Sequence, residues 1–436
     1  EMNSINNLPK LLFGYGLAFF PLFLLTGPLI PEIFLIVSFS FFIFYMFKDK
    51  KFFFLKNRFI FFFFLFYLLK LFSTLINFYS FETILNGLFY FRVPMFAISI
   101  WFLLEKFNFF NKKILFFISL FLVIIIFDAL LQYYTGKNVF GYEILANRVS
   151  SFFAEELILG GFIMRTLPIF MIYLVMSEAL NGKKINFFYI FLIACSCFIV
   201  YVSGERTSFG LLILFFFTLY FITKYLRKFI LIVTITFLTL SFILPYLKSG
   251  DQNNPASRMF KKTYNQFLGI EKNLQEKDKH KIFKKIYLFS PDHHAHYLLS
   301  LKIFKDHIIF GTGTKGFRYL CRNKIYILEK NDGCSTHPHN TYIQILVSNG
   351  IVGFLLLIFA FLYLVREIFV SRKKINSMNK FDKIEISKAI AISAIFVNIW
   401  PLIPSGNFFN NWLSMFYFYP IGLYLYFKHK NEEASR

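Results

Sequence analysis

Charge is what this sequence has least of. Of its 436 residues only 16% are Asp, Glu, Lys or Arg, whereas 57% are apolar and mean hydropathy is +0.57. That balance excludes a soluble globular protein. Acid is scarcer than base, 24 Asp and Glu against 47 Lys and Arg, which leaves a formal net charge of +23. In a soluble chain such an excess points to nucleic acid. Here most cations sit in short loops between apolar runs, so nucleic acid is excluded as a partner. No internal repeat is present, nor a matched pair of interrupted apolar runs in the two halves, which weighs against a transporter. The segments on the more cationic side are too short to hold an output domain, which weighs against a sensor.

What is present is a series of runs of about 17–21 apolar residues, enough to cross a hydrocarbon layer about 30 Å thick. The pattern predicts an all-α polytopic membrane protein with about twelve spans, near 11–29, 33–47, 59–76, 88–104, 114–134, 157–177, 187–203, 207–222, 229–247, 349–370, 386–404 and 412–427. The first run lacks a small-residue cleavage site and reads as a retained helix. Orientation follows from Lys and Arg. With both termini in the cytoplasm, the cytoplasmic segments 48–58, 106–113, 183–184, 224–228, 366–388 and 428–436, with Lys10, carry 24 basic residues. The short outer loops carry three, Lys137, Arg148 and Arg206. The chain divides into spans one to nine (1–247), one long outer loop (248–340) and spans ten to twelve (341–436).

The long loop holds 17 basic and 8 acidic residues. A cationic surface beside a membrane suits either anionic headgroups or an anionic partner such as a lipid diphosphate. Of four cysteines, Cys195 and Cys197 fall within a span and read as packing residues. Cys321 and Cys334 both fall in the outer loop, where oxidising conditions permit a disulfide that would rigidify the approach to His337-Pro338-His339-Asn340. Gly311-Thr312-Gly313-Thr314-Lys315-Gly316 spells a dinucleotide fingerprint, but no βαβ unit or acidic partner surrounds it. Its glycines are expected to allow a tight turn instead.

Seven histidines lie in that loop: His280, His293, His294, His296, His307, His337 and His339. Their spacing matches no closed metal set and no acidic cluster supports one, so no metal is expected. His339 stands out. Asn340 is a good helix cap, so the next span is expected to begin just after it, placing His339 at the membrane surface by a helix N-terminus. A neutral histidine there can take a proton; the alternative is an interfacial histidine at a helix start. Arg206, in Ser203-Gly204-Glu205-Arg206-Thr207-Ser208, falls at the outer end of span seven, and Arg148 in the preceding outer loop. Arginine suits diphosphate recognition; a Glu205–Arg206 ion pair is the alternative. Arg92 and Arg165 fall within spans, where charge is costly. Arg165 and Lys70 are read as structural.

His337-Pro338-His339-Asn340, then Tyr342, Gln344 and Leu346, and Gly350-Ile351-Val352-Gly353 resembles the signature of the O-antigen ligase and polymerase superfamily: His-Asn, nine residues, then Gly-x-x-Gly, at the end of a large periplasmic loop. Phe310-Gly311-Thr312-Gly313 through Phe317 resembles the family's Gly-x-Gly…Phe stretch. Arg206 and Arg148-Val149-Ser150-Ser151-Phe152 resemble its outer arginine segments. The resemblance implies a GT-C-like fold with short helices in the periplasmic loop, in a bacterial inner membrane. It implies an inverting, metal-independent glycosyltransferase without cofactor. The donor would be a glycan on undecaprenyl diphosphate, and the acceptor lipid A–core for a ligase or another lipid-linked repeat for a polymerase. His339 would be the general base, with Glu155, Glu156 and Asp292 as alternatives. Arg206 would stabilise the diphosphate, and Arg148, His337 and Asn340 would help bind substrate. Where the family carries a second arginine upstream of Gly-x-Gly, this chain reads Asp292-His293-His294-Ala295-His296. Arg318, Arg322, Lys302 or His293 is expected to take that place.

Overall fold

A computed structural model describes residues 8–107, 109–181, 186–247, 259, 261, 263–265, 289–326 and 333–434. His280 and most of the basic stretch that opens the long loop lie outside the described residues. The described chain is helical throughout: α1 Leu8–Ala18, α2 Leu29–Lys48, α3 Arg58–Ile76, α4 Phe81–Leu88, α5 Arg92–Lys106, α6 Lys112–Thr135, α7 Leu159–Met176, α8 Phe187–Val202, α9 Arg206–Ile222, α10 Arg227–Leu247, α11 Pro291–Phe304, α12 Gly316–Leu320, α13 Thr341–Ser377, α14 Lys383–Asn398 and α15 Asn411–Ala434.

The apolar runs read from the sequence overlap these helices, but not one for one: 11–29 is divided at a bend after α1, 88–104 crosses the junction of α4 and α5, and 386–404 continues past the end of α14. Among the described residues seven helical stretches are long and apolar enough to cross a membrane, α4 and α5 counting together as one (Phe81–Lys106), or eight if the bent pair Pro9–Ala18 and Phe20–Thr26 is one span. Of the others, α8 and α9 are apolar but shorter, with 16 and 17 residues. The chain is a membrane protein with several helical spans. Side-chain caps start many of the helices, because the first backbone N–H groups of a helix have no internal acceptor. Asn57, Asn111, Asn186, Asn340 and Asp382 each accept from the opening turns of α3, α6, α8, α13 and α14.

At the centre is α7, buried along nearly its whole length between α8, α9 and α14. α15 packs between α5 and α14. Large apolar side chains point outward from the periphery, among them Phe61, Phe217 and Phe242, as a lipid-bathed surface requires. One charge within the bundle is paired outright: Arg92 on α5 forms a two-pronged bridge at 3.1 Å with Glu32 on α2. Lys70, 1% exposed, has no carboxylate partner among the described residues; it donates to Thr314 Oγ1 at 2.9 Å and lies 3.9 Å above the Phe409 ring.

One expectation needs correcting. The span expected to run on from Asn340 is interrupted at Gly350, whose φ of +67° and ψ of −168° are not helical. The break is filled by backbone. Thr312 N–H donates to Val347 O and Gly313 N–H to Ser348 O, at 2.8 and 2.9 Å, while Ile308 O accepts from Ile351 N–H at 2.8 Å. Segment 308–313 thus satisfies the polar groups that the interrupted helix leaves open. The approach demands glycine on both sides: a Cβ on Gly350 would lie 2.0 Å from Ile309 O, and one on Gly311 would lie 2.4 Å from Gly350 N. The dinucleotide-like string is therefore a docking loop seated in a helix break, closer packed than a simple turn.

Candidate active site

Four imidazoles meet at one end of the bundle. His293 and His296 project from α11, three residues apart and so on one helix face. His337 and His339 come from the irregular segment that leads into α13. The His339 ring centre lies 4.0 Å from that of His337, 5.1 Å from His296 and 5.6 Å from His293. His339 itself has φ +58°, a left-handed conformation that a non-glycine residue adopts at a cost. That conformation is held from three directions. Asn340 accepts from Tyr342 and Ile343 N–H at 2.9 and 3.1 Å and donates to Pro401 O at 2.8 Å. Ser405 N–H donates to His339 O at 2.8 Å, and Tyr297 Oη–H donates to the same carbonyl at 3.4 Å. Asn340, only 4% exposed, spends its amide on positioning its neighbour.

Around this cluster the other elements are fixed in turn. His296 Nδ1 lies 2.7 Å from Gly333 O; donation to that carbonyl leaves Nε2 as the lone-pair nitrogen. Gly333 adjoins Cys334, which is joined to Cys321 as a disulfide. Ser290, the cap of α11, bonds His293 Nδ1 at 2.7 Å. Burial and the neighbouring imidazoles push His339 down to about 3 and His337 down to about 4, burial being the larger cause in each. His293 is lowered as well, by burial first, with His296 and Arg206 adding to the effect and Asp292 opposing it. His293, His337 and His339 are thus biased toward the neutral form.

Cations border the histidines. Arg206, the first residue of α9, lies near enough to His293 for its charge to act there, and Arg318 on α12 acts likewise on His337. Arg318 Nε is buried and meets no acceptor among the described residues. The Glu205 carboxylate, which the sequence offers as a partner for Arg206, is engaged by Gly160 and Gly161 N–H at 2.6 and 3.0 Å and by Ser208 Oγ at 2.8 Å. Its ion-pair partner is Arg148, at 3.6 Å, which also donates to Ser203 O at 3.1 Å. Arg148 thus braces the turn that carries Arg206. Arg322, Asp292, Glu155 and Glu156 are exposed, and Lys302 is half-buried on α11.

Among the described residues the four imidazoles do not bring three ring nitrogens within reach of one ion. The set that does is Glu105, His429 and Glu433 at the opposite end of the bundle. Lys430 already sits there, 2.6 Å from Glu105 and 2.9 Å from Glu433. The residues that the sequence reading passed over are His296 and the 399–410 segment. His296 had a legible signal, its three-residue spacing from His293. Ser405 had none, since its place beneath His339 is purely tertiary.

Residues 190–358 match a protein family described as O-Antigen ligase. The matched stretch contains Arg206, the four clustered histidines, Arg318, the docking loop and the helix break. It leaves out Arg148 and the 399–410 segment. No curated protein matches the chain.

Proposed function

We propose that this member of the O-antigen ligase and polymerase superfamily is an O-antigen ligase. In this reading it moves a glycan from undecaprenyl diphosphate to a hydroxyl of lipid A–core on the periplasmic face of the inner membrane. The observation that carries the reading is the convergence of His339, held neutral in a strained and fully supported backbone, with the cations Arg206 and Arg318. A neutral imidazole beside fixed positive charge is what a displacement at an anomeric carbon needs when the leaving group is an anion.

The step balances as follows. The acceptor O–H gives its proton to His339, its oxygen bonds the anomeric carbon, and the bond from that carbon to the diphosphate oxygen breaks. Undecaprenyl diphosphate leaves with the electron pair, and the anomeric configuration inverts. Arg206 and Arg318 stabilise the charge that develops on the leaving group, while Arg148 keeps Arg206 in place. With a pKa of about 3, His339 is a poor base in the empty site. The diphosphate corrects this: a dianion beside the imidazoles favours their protonated form and raises their basicity when donor is bound. Base strength therefore arrives with the substrate.

Complementation of a ligase-deficient host by wild type, His339→Ala and Arg206→Ala, read as surface lipopolysaccharide on a gel, tests the proposal. Wild type alone should restore long glycan on lipid A–core. Core bearing a single repeat unit in a host that lacks this gene would make the chain a polymerase with a lipid-linked acceptor. Unchanged glycan throughout would remove the glycosyltransferase reading in favour of transport.

A further inference from the structure

Arg165 lies on α7, one helical turn below Gly161, to whose carbonyl its Nη1 donates at 3.0 Å. Its Nε is buried and meets no acceptor among the described residues. A buried guanidinium N–H without an acceptor is costly, more so in a span, and the surroundings do not supply the missing anion. Gly161 is the contact point: a Cβ there would lie 3.0 Å from Arg165 Nη1, 3.2 Å from Glu205 Oε2 and 3.4 Å from Ser208 Oγ. Arg165 is thus packed against the residue that precedes Arg206. Glu205, however, is committed to the α7 amides, Ser208 and Arg148. The guanidinium paired with this carboxylate is that of Arg148, while Arg165 reaches the same glycine, Gly161, from within α7.

On its other side Arg165 is tied to the histidines. Its guanidinium carbon lies 6.0 Å from the ring centre of Tyr417, whose hydroxyl faces both Thr341 and the guanidinium itself, leaving Nε as the unmet N–H. Thr341 Oγ1 meets Ser405 Oγ at 2.9 Å, and Ser405 N–H holds the His339 carbonyl. The Arg165 guanidinium therefore lies at the level of the Gly161 turn and is linked to the His339 backbone through Tyr417, Thr341 and Ser405.

We infer that Arg165 is a further substrate-binding residue, holding the lipid-proximal phosphate of the donor beside the sugar-proximal phosphate that Arg206 holds. The inference rests on the glycosyltransferase reading. It explains why an arginine is retained inside a span with one N–H unmet: the acceptor arrives with the substrate. A monophosphate lipid, which lacks the second phosphate, leaves one of the two arginines unused.

The test is equilibrium binding of undecaprenyl diphosphate and undecaprenyl monophosphate to the full-length protein in nanodiscs. Wild type should favour the diphosphate. Arg165→Ala should weaken diphosphate binding about tenfold or more and leave monophosphate binding within about twofold, as loss of a charge-assisted bond predicts. Arg165→Lys, which keeps the charge but not the fork, should fall between. If Arg165→Ala does not fold, Arg165→Lys decides, and an unchanged preference for diphosphate overturns the inference. Wild-type affinity for diphosphate that survives Arg165→Ala also overturns it and leaves the function standing. A wild type that binds neither lipid removes the donor reading and this inference with it.

Discussion

At the scale of single residues, the histidine cluster ties chemistry to stability. In the unfolded chain His339 takes a proton near the usual histidine value of 6.5, whereas in the folded site it resists protonation down to about 3. Below pH 6.5 the unfolded state therefore binds a proton that the folded state refuses, and stability falls as pH drops from 6.5 toward 3. His337 adds to this over the range from 6.5 to about 4. Unfolding midpoints in detergent at pH 7 and pH 5 should show the loss, and His339→Gln should lessen it; an equal loss in the variant would refute the assignment. Activity should respond more sharply. His339→Ala should cost on the order of 10²–10⁴ in kcat, the usual worth of a positioned base. His296→Ala should cost less, because it removes a neighbour that orients and desolvates the base. Its signature is a shift in the pH profile of kcat with KM for the donor nearly unchanged; a rise in KM alone would make His296 a donor contact.

At the scale of elements, the helix break shows what a sequence does and does not disclose. The cap of α13 is legible because Asn340 directly precedes an apolar run, a local relation. His339 and Arg206 are legible for the same reason, since each adjoins a helix start. The partnership of Gly311 with Gly350 is not local. Either glycine alone reads as a turn, and only folding shows that each is the space the other's backbone occupies. Gly350→Ala must displace Ile309 O and adopt a left-handed φ, so it should destabilise the protein by roughly 2–4 kcal/mol. Gly210→Ala is the comparison. Its Cβ would meet only Ile403 Cδ1, at an ordinary 3.7 Å, inside a helix that favours alanine. Thermal unfolding of both variants measures the contrast, and equal midpoints would mean that the interlock contributes nothing.

At the scale of the whole molecule, the two ends of the bundle are chemically distinct. One end gathers the histidines, Arg148, Arg206 and the disulfide. The other gathers cationic loops that contact one another: Lys224 Nζ donates to Asn376 O and Met378 O at 2.9 Å, and Lys383 meets Glu178 at 2.9 Å. On the Lys and Arg asymmetry of the sequence we propose that this second end faces the cytoplasm and the histidine end the periplasm. That orientation is read from composition alone and labelling has to test it; composition could not place Ser405 or Tyr417, whose roles depend on contact. Cysteine labelling tests the orientation with little background, since Cys195 and Cys197 are buried and Cys321 and Cys334 are bonded to each other. Phe140, 69% exposed in the loop between α6 and α7, and Lys380, exposed between α13 and α14, are suitable probes. Phe140→Cys should react with a membrane-impermeant maleimide in intact spheroplasts, and Lys380→Cys only after lysis. The opposite pattern would put the histidine site in the cytoplasm, where the periplasmic acceptor chemistry proposed for it could not take place.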